Sequence, residues 1–344
     1  MSELALYRKY RPSKFSEVIG QESVIRVLEG ALRINNVSHA YLFAGSRGTG
    51  KTSVARILAS ELEVMPEDLY EIDGASNRGI DEVRMLREGV STMPFRSPRK
   101  VYLIDEVHML TRDAWNALLK TLEEPPAHVV FIFATTELNK VPETIISRCQ
   151  TFTFSKPSQN EIQTLLLQIA KSEKFKLETE AAELIALLGD GSFRDAVGLL
   201  QKAMSASADN KITLAEAELV TGAPPAHLVR DLAGAILDQN LERALEKVRA
   251  SSLKNQDVKT LIRLLLRQIR LALLVRLDKN NQEEWLKNLS TDEVKTIRSL
   301  ATHERAERLP EILRELLVAH REVAMSAVPA LPLELALIKL TKTS

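Results

Sequence analysis

The sequence predicts an α/β domain built around a parallel sheet, followed by two regions that consist of helices. Four apolar runs of strand length lie in the first half of the 344-residue chain, and helical stretches separate them. A glycine-rich loop joins the first of these runs to a helix, and no strand candidate of comparable strength follows Phe154. Strands that alternate with helices are typical of parallel sheets, because each parallel connection needs a crossover that a helix supplies.

The strand candidates are four short runs of mainly apolar residues. They are residues 41–44, 69–72, 101–104 and 129–134. Such runs indicate strands that are buried on both faces, as the central strands of parallel sheets are. We therefore expect a sheet that carries helices on both of its faces.

The loop after the first strand candidate matches a phosphate-binding motif. Residues 45–52 read Gly-Ser-Arg-Gly-Thr-Gly-Lys-Thr, which fits the G-x-x-x-x-G-K-[ST] phosphate loop. An amphipathic run at 53–62 follows, so the loop opens a helix whose backbone N–H groups and dipole attract phosphate. We expect Lys51 to reach the β- and γ-phosphates of a nucleoside triphosphate and the Thr52 hydroxyl to ligate Mg²⁺. The nucleotide-binding residues expected here are Gly45, Ser46, Arg47, Gly48, Thr49, Gly50, Lys51, Thr52 and Ser53.

Two adjacent acids, Asp105 and Glu106, follow the third strand candidate. An acid at the carboxyl end of a parallel strand lies beside the phosphate loop, where Asp105 is expected to hold Mg²⁺ through water. The neighbouring Glu106 is then placed to polarise an attacking water, which hydrolysis requires and binding alone does not. The fourth candidate is followed by two threonines, and a hydroxyl at that position can contact the γ-phosphate or the attacking water.

Further residues bear on the choice of nucleotide and on the reaction. Residues 139–141 are Asn-Lys-Val and Pro142 follows, so the Asn-Lys-x-Asp tetrad that selects guanine is absent and ATP is expected. Arg148 and Arg194 each lie near the boundary of a predicted element. From the residues alone, each is either a surface cation or an arginine that assists phosphoryl transfer. An arginine supplied by a neighbour is worth about 10³–10⁵ in rate.

Composition excludes several classes of protein. Lys plus Arg and Asp plus Glu number 46 each, so any DNA contact must come from a local basic surface rather than from net charge. The one cysteine, Cys149, leaves neither an intrachain disulfide nor a cysteine-based zinc site, and no zinc is expected. Charged residues interrupt both the first segment and the Leu-rich run at 261–277, so neither a signal peptide nor a membrane span is predicted. We expect a cytoplasmic protein.

Two breaks in the pattern indicate three domains. Ser-Lys-Pro-Ser at 155–158 is a hinge candidate, and Ser158 with Glu161 forms a capping box that begins a helix. Gly-Ala-Pro-Pro at 222–225 interrupts the helices again. The expected domains are a nucleotide-binding α/β domain at 1–156, a helical lid at 157–223 and a helical C-terminal domain at 224–344.

The motifs taken together resemble the AAA+ clamp-loader ATPases, most closely the bacterial DNA polymerase III gamma/tau family. Besides the phosphate loop, they are Tyr-Arg-Lys-Tyr-Arg-Pro at 7–12, Phe-Ser-Glu-Val-Ile-Gly-Gln at 15–21, Glu-Ile-Asp-Gly-Ala-Ser-Asn-Arg-Gly at 71–79, Leu-Ile-Asp-Glu-Val-His-Met-Leu at 103–110, Asn-Ala-Leu-Leu-Lys-Thr-Leu-Glu-Glu-Pro-Pro at 116–126, Ile-Ser-Arg-Cys at 146–149 and Gly-Ser-Phe-Arg-Asp-Ala at 191–196. Beyond these, the length of the helical C-terminal region and its Leu-Pro-Leu-Glu-Leu-Ala ending at 331–336 agree with the family. The resemblance implies an AAA+ P-loop ATPase domain, a lid and an all-α collar.

The resemblance also implies roles for individual residues. Thr136 corresponds to the sensor-1 residue, and Arg194 corresponds to the sensor-2 arginine, which contacts phosphate from the lid of the same subunit. Arg148 corresponds to the arginine finger that enters the neighbouring subunit's site. A helix that begins near residues 77–78 and includes Arg84 is implied to face the DNA backbone. The adenine pocket is implied to be lined by Tyr10, Arg11, Pro12, Val18 and Ile19.

The activity and the partners that the resemblance implies are those of a motor subunit. It implies an Mg²⁺-dependent ATPase of the replicative clamp loader, part of the DNA polymerase III holoenzyme, with Lys51, Glu106 and Arg148 as catalytic residues. The subunit would open the sliding clamp and load it at primer–template DNA. Its implied partners are the delta and delta-prime subunits and copies of itself in a pentameric ring, together with the clamp and the DNA, and no membrane.

Two departures from the family pattern leave an alternative open. The four-cysteine zinc module of the family is replaced here by residues 62–69, which contain no cysteine. An archaeal-type replication factor C small subunit, which lacks that module, therefore remains a second interpretation, although the local motifs favour the bacterial family. The long tail with which tau holds polymerase and helicase is missing, so those contacts are not expected.

Two other function classes differ in features that the sequence displays. A DNA-translocating AAA+ motor, such as a Holliday-junction branch-migration ATPase, carries a C-terminal winged helix, and no strand pair for a wing is predicted here. A scaffold subunit carries a degraded phosphate loop, whereas Lys51, Thr52 and Glu106 are intact.

Three arginines fall on one face of a predicted C-terminal helix; they are Arg263, Arg267 and Arg270. That face is exposed to solvent, faces another subunit or faces DNA.

Overall fold

The computed structural model describes most of the chain. The described residues are 4–77, 86, 88–253, 256–287 and 289–341. The chain divides into two compact units, Met1–Ile169 with Gly189–Gln201 and Ala170–Leu188 with Lys202–Ser344. The division into three domains that the sequence suggests stays a prediction. None of the helices that the structure describes is long and apolar enough to span a membrane.

A five-stranded sheet, in which every neighbouring pair of strands is parallel, forms the centre of the first unit. Its strands are β1 Ala40–Ala44, β2 Leu69–Asp73, β3 Lys100–Asp105, β4 Val129–Thr135 and β5 Gln150–Thr153. Their order across the sheet is β2-β3-β4-β1-β5. The predicted parallel sheet is confirmed, because each of the four apolar runs lies within one of these strands.

The edge strand β5 was missing from the strand candidates, so the expectation of four strands was incomplete. Of its four residues only Phe152 is buried, whereas Gln150, Thr151 and Thr153 are exposed. The strand pairs with β1 alone. An edge strand with one inward residue gives no apolar run, and its formation depends on a partner that lies more than a hundred residues away in the chain.

Helices join the strands and make up most of the rest of the chain. In chain order they are α1 Leu6–Lys9, α2 Glu22–Arg33, α3 Lys51–Glu61, α4 Arg112–Glu123, α5 Glu143–Ile146, α6 Gln159–Ser172, α7 Thr179–Leu188, α8 Phe193–Ala206, α9 Leu214–Thr221, α10 Ala226–Leu237, α11 Leu241–Leu253, α12 Val258–Leu277, α13 Gln282–Leu286, α14 Thr291–Ala301, α15 Leu309–Glu322 and α16 Leu331–Thr341. Helices α3 and α8 both begin in the first unit, and their first residues contribute to the site.

Both faces of the sheet are covered by apolar side chains. On one face, Phe131 and Phe133 of β4 share a core with Trp115 of α4, whose ring centroid lies 5.8 Å from that of Phe133. On the other face, Ile132 packs in a second core with Leu58 of α3. Because successive side chains of a strand point to opposite faces, a strand covered on both sides must be apolar throughout. This requirement is the physical reason that the candidates for β1, β3 and β4 were recognisable, whereas β2 contains the exposed Glu71 and is only partly buried.

The second unit consists of α7, α9 to α16 and a short sheet. The sheet pairs β6 Lys176–Leu177 with β7 Lys211–Ile212 in parallel. The expectation that only helices follow Phe154 was therefore wrong, because this pair of strands also follows it. Each strand has two residues, which is too short to give an apolar run in the sequence. Within the described residues, no strand follows Ile212, and helices α10 to α16 share one apolar core.

Arg267 of α12, one arginine of the predicted stripe, forms ion pairs within the second unit. Its Nη1 lies 2.7 Å from Oε1 of Glu293, and its Nη2 lies 3.8 Å from Oε2 of Glu183. Burial and the charge of Glu293 raise the pKa of Glu183 to about 8, and the positive charge of Arg267 opposes this rise. These contacts account for Arg267 without a DNA partner.

Asp68 organises the segment that stands where the resemblance expects a zinc module. Its carboxylate is fully buried and accepts the backbone N–H groups of Phe95, Arg96 and Ser97 at 2.6, 2.9 and 2.9 Å. Burial opposes ionisation, but these hydrogen bonds outweigh it and lower the pKa of Asp68 from 3.8 to about 2. One carboxylate thus ties residues 62–69 to a second loop.

Candidate functional site

The phosphate loop leaves β1 and turns into α3 through glycines that no other residue replaces without strain. Gly48 and Gly50 have φ angles of 73° and 102°, in the left-handed region. A Cβ on Gly48 would lie 2.0 Å from Oγ of Ser192, so a side chain has no room there. The loop leads directly into α3, which begins at Lys51.

Lys51 lies inside the curve of this loop. Its Nζ donates hydrogen bonds to the backbone carbonyls of Gly45 at 2.8 Å and Ser46 at 2.9 Å. Burial lowers the pKa of the ammonium group, and the carboxylates of Asp105 and Glu106 oppose that effect. An ammonium that only carbonyl dipoles and nearby carboxylates stabilise is well placed to exchange those contacts for phosphate oxygens.

Thr52 and Asp105 meet at the carboxyl end of β3. The Thr52 hydroxyl donates to Oδ2 of Asp105 at 2.8 Å, and Oδ1 of Asp105 accepts the backbone N–H of Glu106 at 2.9 Å. Hydroxyl and carboxylate oxygens are ligands that suit Mg²⁺, which keeps several waters and takes few protein ligands. The pair therefore fits the predicted magnesium position. Among the described residues, no group of three or more His, Cys, Asp or Glu side chains is placed to hold a metal.

Glu106 is held by side chains from the neighbouring strand and the turn after β3. Its backbone has φ 47°, a left-handed conformation that is uncommon outside glycine. Oε2 of Glu106 accepts a hydrogen bond from the Thr136 hydroxyl at 3.1 Å and lies 3.4 Å from Nδ1 of His108. His108 is nearly buried, and its two ring nitrogens also contact Thr135 Oγ1 at 3.1 Å and Glu137 Oε1 at 3.4 Å. No role was predicted for His108, although it lies in a motif that carries the family resemblance.

A cavity of about 510 Å³ opens over the phosphate loop. This volume falls within the roughly 300–1,000 Å³ typical of small-molecule sites. The predicted site residues that line it are Tyr10, Arg11, Pro12, Val18, Ile19, Arg47, Gly48, Thr49, Gly50, Lys51, Thr52, Ser53, Asp105, Glu106 and Arg194. Lining residues that the sequence did not single out are Tyr7, Glu17, Asp73, Ala75, Leu165, Phe193 and Val197. Gly45, Ser46, Thr136 and Arg148 are not lining residues, and the first three contact residues that are.

Two long-range contacts fix the loop that forms the floor of the cavity. The backbone N–H of Phe193, the first residue of α8, donates to the Gly48 carbonyl at 3.1 Å. The buried Gln21 side chain donates to the carbonyls of Thr49 at 3.4 Å and Ser155 at 2.9 Å, and its Oε1 accepts the Ser155 N–H at 3.2 Å. Neither contact has a local signal in the sequence, because each joins segments that are distant in the chain.

Arg148 lies outside this cavity. Its guanidinium bonds Oε1 of Glu123 at 2.7 Å and the Thr144 carbonyl at 2.7 Å. The assignment of Arg148 as an arginine finger stays a prediction. The predicted DNA-facing residues Arg78 and Arg84 lie outside the described residues.

Comparison with protein families extends the resemblance to the whole chain. Residues 212–344 match the family described as DNA polymerase III subunits gamma and tau domain III, and residues 63–158 match DNA polymerase III, delta subunit. The DNA polymerase III subunit tau of Bacillus subtilis is 40% identical over 365 aligned positions, which cover 100% of this chain and 64% of that protein. The chain belongs to the DNA polymerase III gamma/tau family. This membership decides against the archaeal-type alternative.

Other gamma/tau relatives are similar over shorter stretches. The gamma/tau subunit of Mycoplasma pneumoniae is 43% identical over 233 positions, which cover 62% of this chain and 34% of that protein. The tau subunit of Escherichia coli is 38% identical over 283 positions, which cover 76% of this chain and 44% of that protein. The chain thus spans less than two thirds of the length of these gamma/tau relatives.

Solved structures confirm the fold class. The RuvB Holliday junction branch migration motor of Thermotoga maritima superposes with a TM-score of 0.53 at 23% identity, over 66% of this chain and 79% of that one. The likeness supports an AAA+ P-loop fold for the sheet, as predicted. At this identity it shows the fold and carries no argument about which motor this chain belongs to.

Proposed function

We propose that this gamma/tau family member is an ATP-driven motor subunit of the replicative clamp loader. The observation that carries the proposal is the arrangement around Glu106. Its carboxylate is held by Thr136 beside the Thr52–Asp105 pair, and Lys51 lies in the adjoining loop. A member of this family with an intact set of these groups is equipped to hydrolyse a nucleotide rather than only to bind it.

The residues divide the work of hydrolysis among them. Mg²⁺, when bound, would neutralise charge on the β- and γ-phosphates, and Thr52 and Asp105 would hold it. Lys51 would turn from its loop carbonyls to the phosphate oxygens. Glu106 would orient and polarise the attacking water, with Thr136 fixing the carboxylate. The lining residues Tyr10, Arg11, Pro12, Val18 and Ile19 are proposed to hold the adenine.

The proposed partners are those of a ring-forming loader. They are the delta and delta-prime subunits, further copies of this chain in a five-membered ring, the sliding clamp and primer–template DNA, in the cytoplasm. The family membership supports this assembly. The helical C-terminal region supports the collar assignment, because the described part of the chain after Ile212 offers no strand pair for a winged helix.

Substitution of Arg148 tests the proposed ring of subunits without a structure of the assembled complex. We expect Arg148→Ala to bind ATP normally and to lose hydrolysis, because the guanidinium acts on the neighbour's γ-phosphate. Mixing Arg148→Ala subunits with Glu106→Gln subunits should restore part of the rate, since some interfaces then combine an intact glutamate with an intact arginine. The measurement is steady-state ATP hydrolysis by the assembled complex at several mixing ratios.

The matched control for this experiment is Arg26→Ala, which removes an exposed arginine of α2 that lines no part of the nucleotide cavity. The control should hydrolyse ATP at the rate of the unmodified complex. A complete lack of rescue at every mixing ratio would assign Arg148 a role within its own subunit. The loader function itself is tested by ATP-dependent transfer of the sliding clamp to primed DNA.

A further inference from the structure

The short helix α1 lies at the edge of the nucleotide cavity and is tied to α8. The backbone N–H of Leu6 donates to Oε1 of Gln201 at 3.0 Å, and the Leu6 side chain is buried. Gln201 follows Arg194 by seven residues, which is close to two full helical turns, so both side chains project from the same face of α8. Helix α1 therefore runs beside the face of α8 that carries Arg194.

On this face the guanidinium of Arg194 stacks on the ring of Tyr7. The guanidinium carbon lies 4.9 Å from the ring centroid, within the range of about 6 Å in which a cation is attracted to an aromatic face. Arg8 lies on the same ring at 5.8 Å and donates to the phenol oxygen at 3.2 Å. The hydrogen bond from Arg8 is the main cause that lowers the pKa of Tyr7, and the charge of Arg194 acts in the same direction.

Both partners of this stack line the nucleotide cavity, and both also line an adjoining cavity of about 550 Å³ that reaches Thr52 and Asp105. In the described part of the chain, no carboxylate forms an ion pair with Arg194. The aromatic ring is thus the group that orders this guanidinium. The Arg194 side chain also hydrogen-bonds the Tyr7 hydroxyl, and the N–H groups of the guanidinium that this bond does not use can bind an anion.

We propose that Tyr7 is a positioning residue that holds Arg194 by its face, so that the N–H edge of the guanidinium is presented to the phosphates of the bound nucleotide. The proposal rests on the function proposed above. Without the ring, Arg194 would have to be ordered at the moment of binding, and a long side chain loses much rotamer freedom when it is ordered. Tyr7 contributes by ordering Arg194 in advance.

The experiment is a double-mutant cycle on the full-length chain, read out as the dissociation constant for a non-hydrolysable ATP analogue with Mg²⁺. We expect Tyr7→Leu to weaken binding about fivefold, on the scale of one cation–π contact. Tyr7→Phe should weaken binding less than Tyr7→Leu, because it keeps the ring and loses only the hydrogen bonds of the hydroxyl to Arg194 and Arg8. In an Arg194→Ala background, Tyr7→Leu should cause no further loss.

A merely structural role of Tyr7 predicts a different outcome. In that case Tyr7→Leu weakens binding equally in the presence and absence of Arg194, and this additivity would overturn the proposal. If Tyr7→Leu fails to fold, the same cycle run with Tyr7→Phe and Tyr7→His, which alter the ring but keep it planar, supplies the coupling energy. Failure of the unmodified chain to bind the analogue would instead contradict the proposed function.

Discussion

Lys51→Ala is expected to abolish ATP binding, with a loss of affinity of at least about 100-fold. The ammonium group supplies charge-assisted hydrogen bonds to two phosphates, each worth about 1.5–3 kcal/mol, and an alanine supplies none. The nearly buried Lys51 reaches the loop centre from the first residue of α3, and its neighbours Gly45 and Ser46 offer carbonyls, which repel phosphate. The measurement is an equilibrium titration with ATP and Mg²⁺.

A control separates the loss of the ammonium from a general loss of structure. Lys171→Ala removes an exposed lysine at the end of α6 and should leave the affinity unchanged. The thermal unfolding of Lys51→Ala should remain cooperative, because the side chain bonds only loop carbonyls. If Lys51→Ala retains the affinity of the unmodified chain, the phosphate-loop assignment is wrong.

Glu106→Gln is expected to lower the rate of ATP hydrolysis by about 10²–10⁴ and to leave ATP binding intact. The amide has the size of the carboxylate, and its oxygen can still accept the hydrogen bond from Thr136. It carries no charge and is too weak a base to polarise water. The measurement is single-turnover hydrolysis beside an ATP titration of the same preparation. Turnover within a few-fold of the unmodified chain would exclude Glu106 as the group that activates water.

The chemistry of the site could be predicted from the sequence because the residues that carry it are contiguous in the chain. The phosphate loop at 45–52 and the Asp105–Glu106 pair each occupy one short stretch, and the apolar runs before them fix where they lie on the sheet. Parallel strands carry such residues to one edge whatever the order of the strands. The fold class and the centre of the site followed from this rule.

The residues that support the site were not readable in the same way. Gln21 bonds Ser155 across 134 positions, and the Leu6–Gln201 contact spans 195. No local sequence feature near Gln21 or Leu6 indicates a partner so distant in the chain. His108 was present in a recognised motif, but its contacts with Thr135 and Glu137 arise only when β3 and β4 lie side by side. Contacts of this kind depend on the folded arrangement.

The role of Asp68, in the segment where the resemblance leads one to expect a zinc module, could not be predicted from the sequence either. The absence of cysteines at 62–69 showed that a zinc module is missing, but not what holds the segment. In the structure, Asp68 does so by accepting three backbone N–H groups from residues 95–97. Nothing in the sequence distinguishes Asp68, as a buried acid, from the rest of the 46 acidic residues.

The most direct test of the proposed loader function is the rate of ATP hydrolysis by the complex that contains this chain, measured with and without the sliding clamp and primed DNA. We expect the clamp and primed DNA together to raise the rate well above that with either one alone, and duplex DNA without a primer end to have little effect. Glu106→Gln should remove the stimulated rate. A rate that depends on DNA but does not change when the clamp is added would contradict the proposed loader function and would favour a DNA-translocating motor.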